Sequence, residues 1–193
     1  MRNIGADVEK LRQVVQGIPE RVANPVFVAV AGLPGTGKSH FSRKLSERLS
    51  CVIVESDALR KALWPKPTYS AQESQRLFSA CHRLIEQLLS EGTGVILDAT
   101  NLQERHREQL YRIAERLRVK LILVWVEAPP EVVRARLQER ALGMDPQDSS
   151  EADWGVYRRM RSKAEKIGRS YFVVDTSRDI LPVIDKIARE ARR

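Results

Sequence analysis

The chain has 193 residues, 42% of them apolar, which suits one domain built on one core. Its 33 Lys and Arg against 25 Asp and Glu leave a charge of +8, which favours an anionic ligand without singling out nucleic acid, because any phosphate-handling protein can be basic. No apolar run is long enough to span a membrane, and Asp7 and Glu9 interrupt the N-terminal stretch where a secretory signal needs an apolar segment, so the chain reads as cytoplasmic.

Residues 6–17 place Val8, Leu11, Val14 and Val15 on one face, predicting a packing helix closed by Gly17 and Pro19. Residues 26–31, Val-Phe-Val-Ala-Val-Ala, predict a buried strand. The loop after it reads Gly32, Leu33, Pro34, Gly35, Thr36, Gly37, Lys38, Ser39, and a helix with Phe41, Leu45 and Leu49 at helical spacing follows. Cys51 to Val54 predict the second strand, and Ser56 the cap of a short helix ended at Trp64-Pro65. Ser70 with Glu73 forms a capping-box pattern ahead of a helix carrying Leu77, Cys81, Leu84, Ile85 and Leu88 up to Gly92. The third strand is Gly94 to Asp98, and Asn101 with Glu104 opens a helix whose inner face holds Leu110, Ile113, Ala114 and Leu117.

Lys120 to Val126 predict a fourth, interior strand. Pro130 starts a helix rich in arginine, with Arg134, Arg136 and Arg140. Residues 143–153 have the composition of a mobile loop, expected to become ordered when nucleotide binds, and a helix from Ala152 to Lys166 follows. Tyr171 to Val174 supply the fifth strand and Ile184, Ile187 and Ala188 a closing helix. Alternating strands and helices predict an α/β fold, a doubly wound five-stranded parallel sheet, with one domain over residues 1–193 and a helical lid over about 130–166.

Gly32 to Ser39 fit the pattern G-x-x-x-x-G-K-[ST], with an extra glycine at Gly35. Glycines let backbone N–H groups turn inward as an anion nest, Lys38 reaches the outer phosphates, and Ser39 is placed to ligate magnesium. The loop residues and the adjoining His40 are therefore the candidate nucleotide contacts, with ATP and Mg2+ as the expected cofactors. Asp98, at the end of a strand, is the second candidate for holding magnesium, or alternatively caps its own turn. Asp57 and Arg60, three apart on one helical turn, are expected on one face, the carboxylate as general base towards an acceptor hydroxyl and the guanidinium on an acceptor anion. Absence of a guanine-reading Asn-Lys-x-Asp and the shortness of the chain favour a small kinase over a GTPase or motor. An ATP-binding switch that transfers nothing is the rival reading. Cys51 and Cys81 have no partners at metal-ligand spacing and read as reduced core residues, and His40, His82 and His106 fall in no triad pattern.

With those residues in place, the chain resembles the P-loop kinases of the branch that holds 5′-hydroxyl polynucleotide kinases, zeta-toxin-like kinases and AAA-type predicted kinases. The resemblance runs from residue 26 to about 178 and rests on Gly32–Ser39, Ser56-Asp57-Ala-Leu-Arg60, Leu97-Asp98-Ala-Thr-Asn101 with Glu104-Arg105, and Arg136-Leu-Gln-Glu-Arg140. It implies that Asp57 is the general base, Arg60 an acceptor-site arginine, and Arg136 and Arg140 lid arginines over the ATP phosphates and the transition state. The polynucleotide kinase pattern has its acid directly before Thr-Asn, where this chain has Ala99, with Asp98 one position earlier. The acceptor implied is a 5′-hydroxyl polynucleotide end, with a small metabolite or antibiotic as the alternative; predicted small kinases with a Leu-Asp-Ala-Thr stretch resemble the chain more closely overall. Adenine contacts are expected near Thr176 to Arg178.

Overall fold

A computed structural model describes residues 4–15, 17–141 and 152–192. Five parallel strands form one sheet: β1 (Val26–Ala31), β2 (Cys51–Glu55), β3 (Gly94–Asp98), β4 (Lys120–Glu127) and β5 (Phe172–Asp175), in the spatial order β2-β3-β1-β4-β5. The helices are α1 (Ile4–Val14), α2 (Lys38–Ser46), α3 (Ser56–Leu63), α4 (Ala71–Ser90), α5 (Glu104–Leu117), α6 (Pro130–Ala141), α7 (Trp154–Arg161) and α8 (Leu181–Ala191).

β1 and β3 are buried along their whole length, which is why both read as unbroken apolar runs. Alternation along each strand sends side chains to two cores. Phe27, Ala29, Val95 and Leu97 join Leu11 of α1, Leu84 and Leu88 of α4 and Leu110 of α5 on one face. Val28, Val30, Ile96 and Val124 meet Phe41 and Leu45 of α2 and Ile184 and Ile187 of α8 on the other. A smaller apolar cluster of Leu33, Leu102, Val133, Leu137 and Tyr157 joins the loop after β1 to α6 and α7.

The starts of α3 and α5 differ from expectation, and that of α4 agrees in its cap but not in its capping box. Ser56 is the first residue of α3, not its cap; Glu55 takes the cap position, and its side chain does not cap the helix. Ser70 does cap α4, accepting from the Glu73 N–H at 3.2 Å, but the Glu73 carboxylate turns back to the backbone N–H groups of Thr68 and Tyr69 and away from Ser70. Asn101 adopts a left-handed φ of 44° and uses its amide to donate to the Val30 carbonyl at 2.8 Å, leaving Gln103 as the residue before α5. The last helix before β5 is shorter than expected, Trp154–Arg161. The expected nucleotide-ordered loop, 143–153, lies for the most part outside the described residues. Among the described residues no helix is long and apolar enough to cross a membrane.

Candidate active site

The carboxyl ends of β1, β2 and β3 meet because their register aligns them: Val30 and Glu55 both lie opposite Asp98. The loop from Gly32 to Gly37 leaves β1 there, and α2 begins at Lys38 with its positive dipole end beside the loop. A cleft of about 460 Å3 opens at this point, lined by Pro34, Gly35, Gly37, Lys38, Ser39 and His40 from the loop and α2, by Asp57 and Asp98, and by Arg136 and Arg140 from α6. The structure thus brings together all but one of the expected catalytic and metal-holding residues.

The loop is fixed from within and from outside. The Gly32 N–H donates to the Thr100 carbonyl at 3.1 Å and the Thr36 hydroxyl to the Leu33 carbonyl at 2.8 Å. Lys38 Nζ also donates to the Leu33 carbonyl, at 2.9 Å, so its ammonium lies curled over the loop. Gly35, the glycine beyond the motif, has φ +76°, and a Cβ there would come within 2.9 Å of both Leu137 and Val133 of α6. Gly37 has φ +86°, and a Cβ there would meet the Thr176 hydroxyl at 3.0 Å and Arg136 Nη1 at 3.3 Å. Two glycines therefore set how closely α6 and the turn after β5 approach the loop.

Arg136 is held by that same turn. Its Nη1 donates to the Thr176 hydroxyl at 2.8 Å and its Nη2 to the Thr176 carbonyl at 2.9 Å, while the Thr176 hydroxyl donates to the Thr36 carbonyl at 2.7 Å. One hydroxyl thus joins the arginine of α6 to the phosphate loop.

Asp98 is 3% exposed, and its Oδ2 has no hydrogen-bond partner. Burial raises its carboxyl above the ordinary value, Lys38 and the nearby Ser39 and Ser42 hydroxyls oppose that, and the Asp57 charge adds to it. A buried carboxylate oxygen without a donor, beside a loop serine and across from a second acid, fits a hard divalent cation. Among the described residues no group of three or more His, Cys, Asp and Glu forms a metal cage. Such an ion would therefore be held by few protein groups together with phosphate oxygens. The His40 imidazole is lowered by burial and by the cations Arg43, Lys44 and Arg136, which leaves it neutral in a positive cleft.

Arg60 is the exception. Asp57 faces the cleft, but Arg60, 6% exposed, turns to α4. Its Nη2 donates to Ser74 Oγ at 3.2 Å, its Nη1 lies 3.7 Å from Glu73, and the Tyr69 ring covers it at 4.9 Å. Three residues on a helix are about 60° apart in projection, and here that angle separates the two side chains. The cleft also takes in Thr176, where adenine contacts are expected, Thr100 of the Leu97–Asn101 stretch, and Arg43, Glu55 and Glu139, which motif reasoning passes over. Arg43 carried a usable signal, since it lies one turn beyond Ser39 on the same face of α2. Thr176 carried only its place after the last strand. Both cysteines are buried, and burial pushes each thiol up to about 12.

A parallel sheet in this strand order, with a glycine-rich loop leading from its central strand into a helix, is the α/β fold of P-loop kinases. APS kinase CysC of Mycobacterium tuberculosis, solved in complex with AMPPNP and APS, superposes with a TM-score of 0.62 over 86% of this chain and 95% of its own, at 17% identity. Residues 27–167 match the AAA domain family, and the chain belongs to it. A shikimate kinase of Deinococcus radiodurans is 33% identical over 125 residues, 62% of this chain and 59% of the relative. L-seryl-tRNA(Sec) kinase of Methanococcus maripaludis is 25% identical over 120 residues, 60% of this chain and 46% of the relative. The chain thus spans about half the length of these curated relatives.

Proposed function

We propose that this protein is an ATP-dependent kinase that transfers the γ-phosphoryl group of ATP to an acceptor hydroxyl, with a 5′-hydroxyl polynucleotide end as the best acceptor. The observation that carries this reading is the meeting of Asp57 with Lys38, Ser39, Asp98, Arg136 and Arg140 in one cleft. A nucleotide-binding switch needs the loop and the cations, but not a second carboxylate facing them.

In this mechanism the backbone N–H groups from Gly35 to Ser39, with Gly32, Leu33, Pro34 and Thr36 shaping the loop and His40 at its edge, hold the β- and γ-phosphates of ATP. Lys38 leaves the Leu33 carbonyl for the phosphates. Ser39 and Asp98 are the residues that would hold Mg2+, which when bound neutralises phosphate charge. Asp57 accepts the proton of the acceptor hydroxyl as its oxygen bonds to the γ-phosphorus and the bond to the β-phosphate oxygen breaks, releasing ADP. Arg136 and Arg140 spread the negative charge of the transferring group. Arg60 serves the acceptor side only after Tyr69 moves, since the ring lies over it.

A small hydroxyl-bearing acid is the second reading, supported by the modest cleft and by a relative named for shikimate. Incubating the protein with radiolabelled ATP, magnesium and either a 5′-hydroxyl oligonucleotide or a panel of small alcohols and hydroxy acids separates the two. Transfer to the oligonucleotide, abolished in Asp57→Ala with ADP binding retained, is the expected result. Transfer that persists in Asp57→Ala removes its role as base, and transfer to no acceptor leaves the switch.

A further inference from the structure

From sequence, Arg134 to Arg140 and Arg158 to Arg161 are explained as well by a lid facing ATP as by a nucleic-acid partner. The structure separates them. Arg136 and Arg140 line the cleft, whereas Arg158, Arg159, Arg161, Lys163, Lys166 and Arg169 do not and are exposed. Among the described residues only Arg169 of these six forms an ion pair, with Glu115 at 2.9 Å. The single acid within the run, Glu165, is engaged elsewhere, its carboxylate accepting from the Glu104 N–H at 2.7 Å. Six cations against one occupied carboxylate on a short stretch repel one another and lower the stability of the free protein.

The fold nevertheless fastens this run, at Glu165 and Lys166, to the segment that borders the cleft. Arg107 is 1% exposed, and its guanidinium donates to the main-chain carbonyls of Asn101 at 2.8 Å, Glu165 at 3.1 Å and Lys166 at 2.8 Å. The Glu165 N–H donates to the Leu102 carbonyl at 2.9 Å. Residues 99–102, to which the run is fastened, also form a wall of the cleft through Ala99 and Thr100.

We infer that residues 158–169 are a docking surface for the phosphate backbone of a single nucleic-acid strand, whose end presents its hydroxyl to Asp57. The choice of a strand rests on chemistry. Five cations that form no ion pair among the described residues match a polyanion, and no large apolar side chain of the run is exposed, so a membrane surface would find nothing to insert. Bases are not stacked here, because Trp154 is already covered by Tyr157 at 4.7 Å on one side and by Arg134 at 6.0 Å. Binding is therefore independent of sequence and strongly dependent on salt. Presentation of the hydroxyl rests on the kinase reading, whereas the docking itself does not.

The test measures binding alone, without ATP. Fluorescence anisotropy follows a 3′-labelled single-stranded RNA with a free 5′-hydroxyl, and the matching DNA, across a salt series. The quadruple variant Arg158→Gln, Arg159→Gln, Lys163→Gln and Lys166→Gln alters exposed side chains and, with part of the repulsion removed, should melt no lower than the parent. It should lose at least about tenfold in affinity near physiological salt, and the slope of log K against log salt should fall by about 0.7 for each lost contact. A charge-matched control, Arg112→Gln, Arg116→Gln, Lys186→Gln and Arg189→Gln, should keep the parent slope. RNA bound and DNA not would assign the surface to RNA, and both bound equally to either strand. Equal losses in variant and control, no strand binding at low salt, or tighter binding to phosphatidylglycerol vesicles than to RNA would each overturn the inference. Strand binding without transfer to the strand, in the separate labelled-ATP assay, would count against the polynucleotide acceptor and the presentation of its hydroxyl to Asp57, and leave the docking itself standing.

Discussion

Replacing Gly35 by alanine tests whether the phosphate loop and α6 are built as one packed unit. The motif permits any residue at this position, yet φ is +76° and the added Cβ would sit 2.9 Å from Leu137 Cγ, 2.9 Å from Val133 Cγ1 and 3.1 Å from Leu137 Cδ2. The left-handed backbone costs an L-residue about 1–2 kcal/mol. Overpacking against two buried side chains adds about 1–3 kcal/mol. The sum, about 2–5 kcal/mol, lowers the melting temperature of a domain this size by on the order of 10 °C. Leu137→Ala alone costs about 2–5 kcal/mol through its cavity. Leu137 supplies two of the three close contacts, so in the double variant the clash is relieved while the backbone strain remains. The double variant should therefore be more stable than the sum of the single losses predicts, by about 1–2 kcal/mol. Urea unfolding of the four proteins measures this directly. Additivity within about 0.5 kcal/mol, or a Gly35→Ala protein as stable as its parent, would refute the packing argument.

Thr176→Val removes the hydroxyl that joins Arg136 to Thr36 but keeps the carbonyl bond, so it should cost about 1–2 kcal/mol and weaken ADP binding in calorimetry, with Thr176→Ser close to the parent. Burial lowers the His82 imidazole to about 4, Glu86 opposing and His106 adding to it. A group lowered on folding stabilises above its free value and loses that stability as pH falls towards its folded value. Unfolding free energy should therefore drop by about 2 kcal/mol between pH 6.5 and 4, a slope that His82→Gln should flatten. Cys51 and Cys81, with thiols raised to about 12, should resist maleimide in the native protein and react in guanidinium.

The strands, the phosphate loop and the two α6 arginines are legible in sequence because each has a local signature: an apolar run, a fixed glycine spacing, a one-turn repeat. The order in which strands pair is not local, since β1 lies between β3 and β4 only once both helical layers are packed. Arg60 shows the same limit on a smaller scale. Helical spacing puts it near Asp57, but Glu73, Ser74 and Tyr69, from a later loop and helix, decide which way it turns. Glu73 likewise satisfies the capping spacing and then serves Thr68 and Tyr69, whose backbone N–H groups no pattern could place beside it. The basic run after Tyr157 reads like a continuation of the lid until Arg107 is seen holding it at the rim.

The hydroxyl of Thr176 bonds to a carbonyl 140 residues earlier in the chain. The nucleotide side of the cleft is thus closed by one of the longest-range contacts in the molecule, and long-range contacts form late because the chain between them must first be ordered. During synthesis the loop emerges early, and the link from Arg136 through Thr176 to Thr36 waits until β5 has docked beside β4. On the kinase reading, a chain cut before β5 should therefore hold nucleotide more weakly than the full chain.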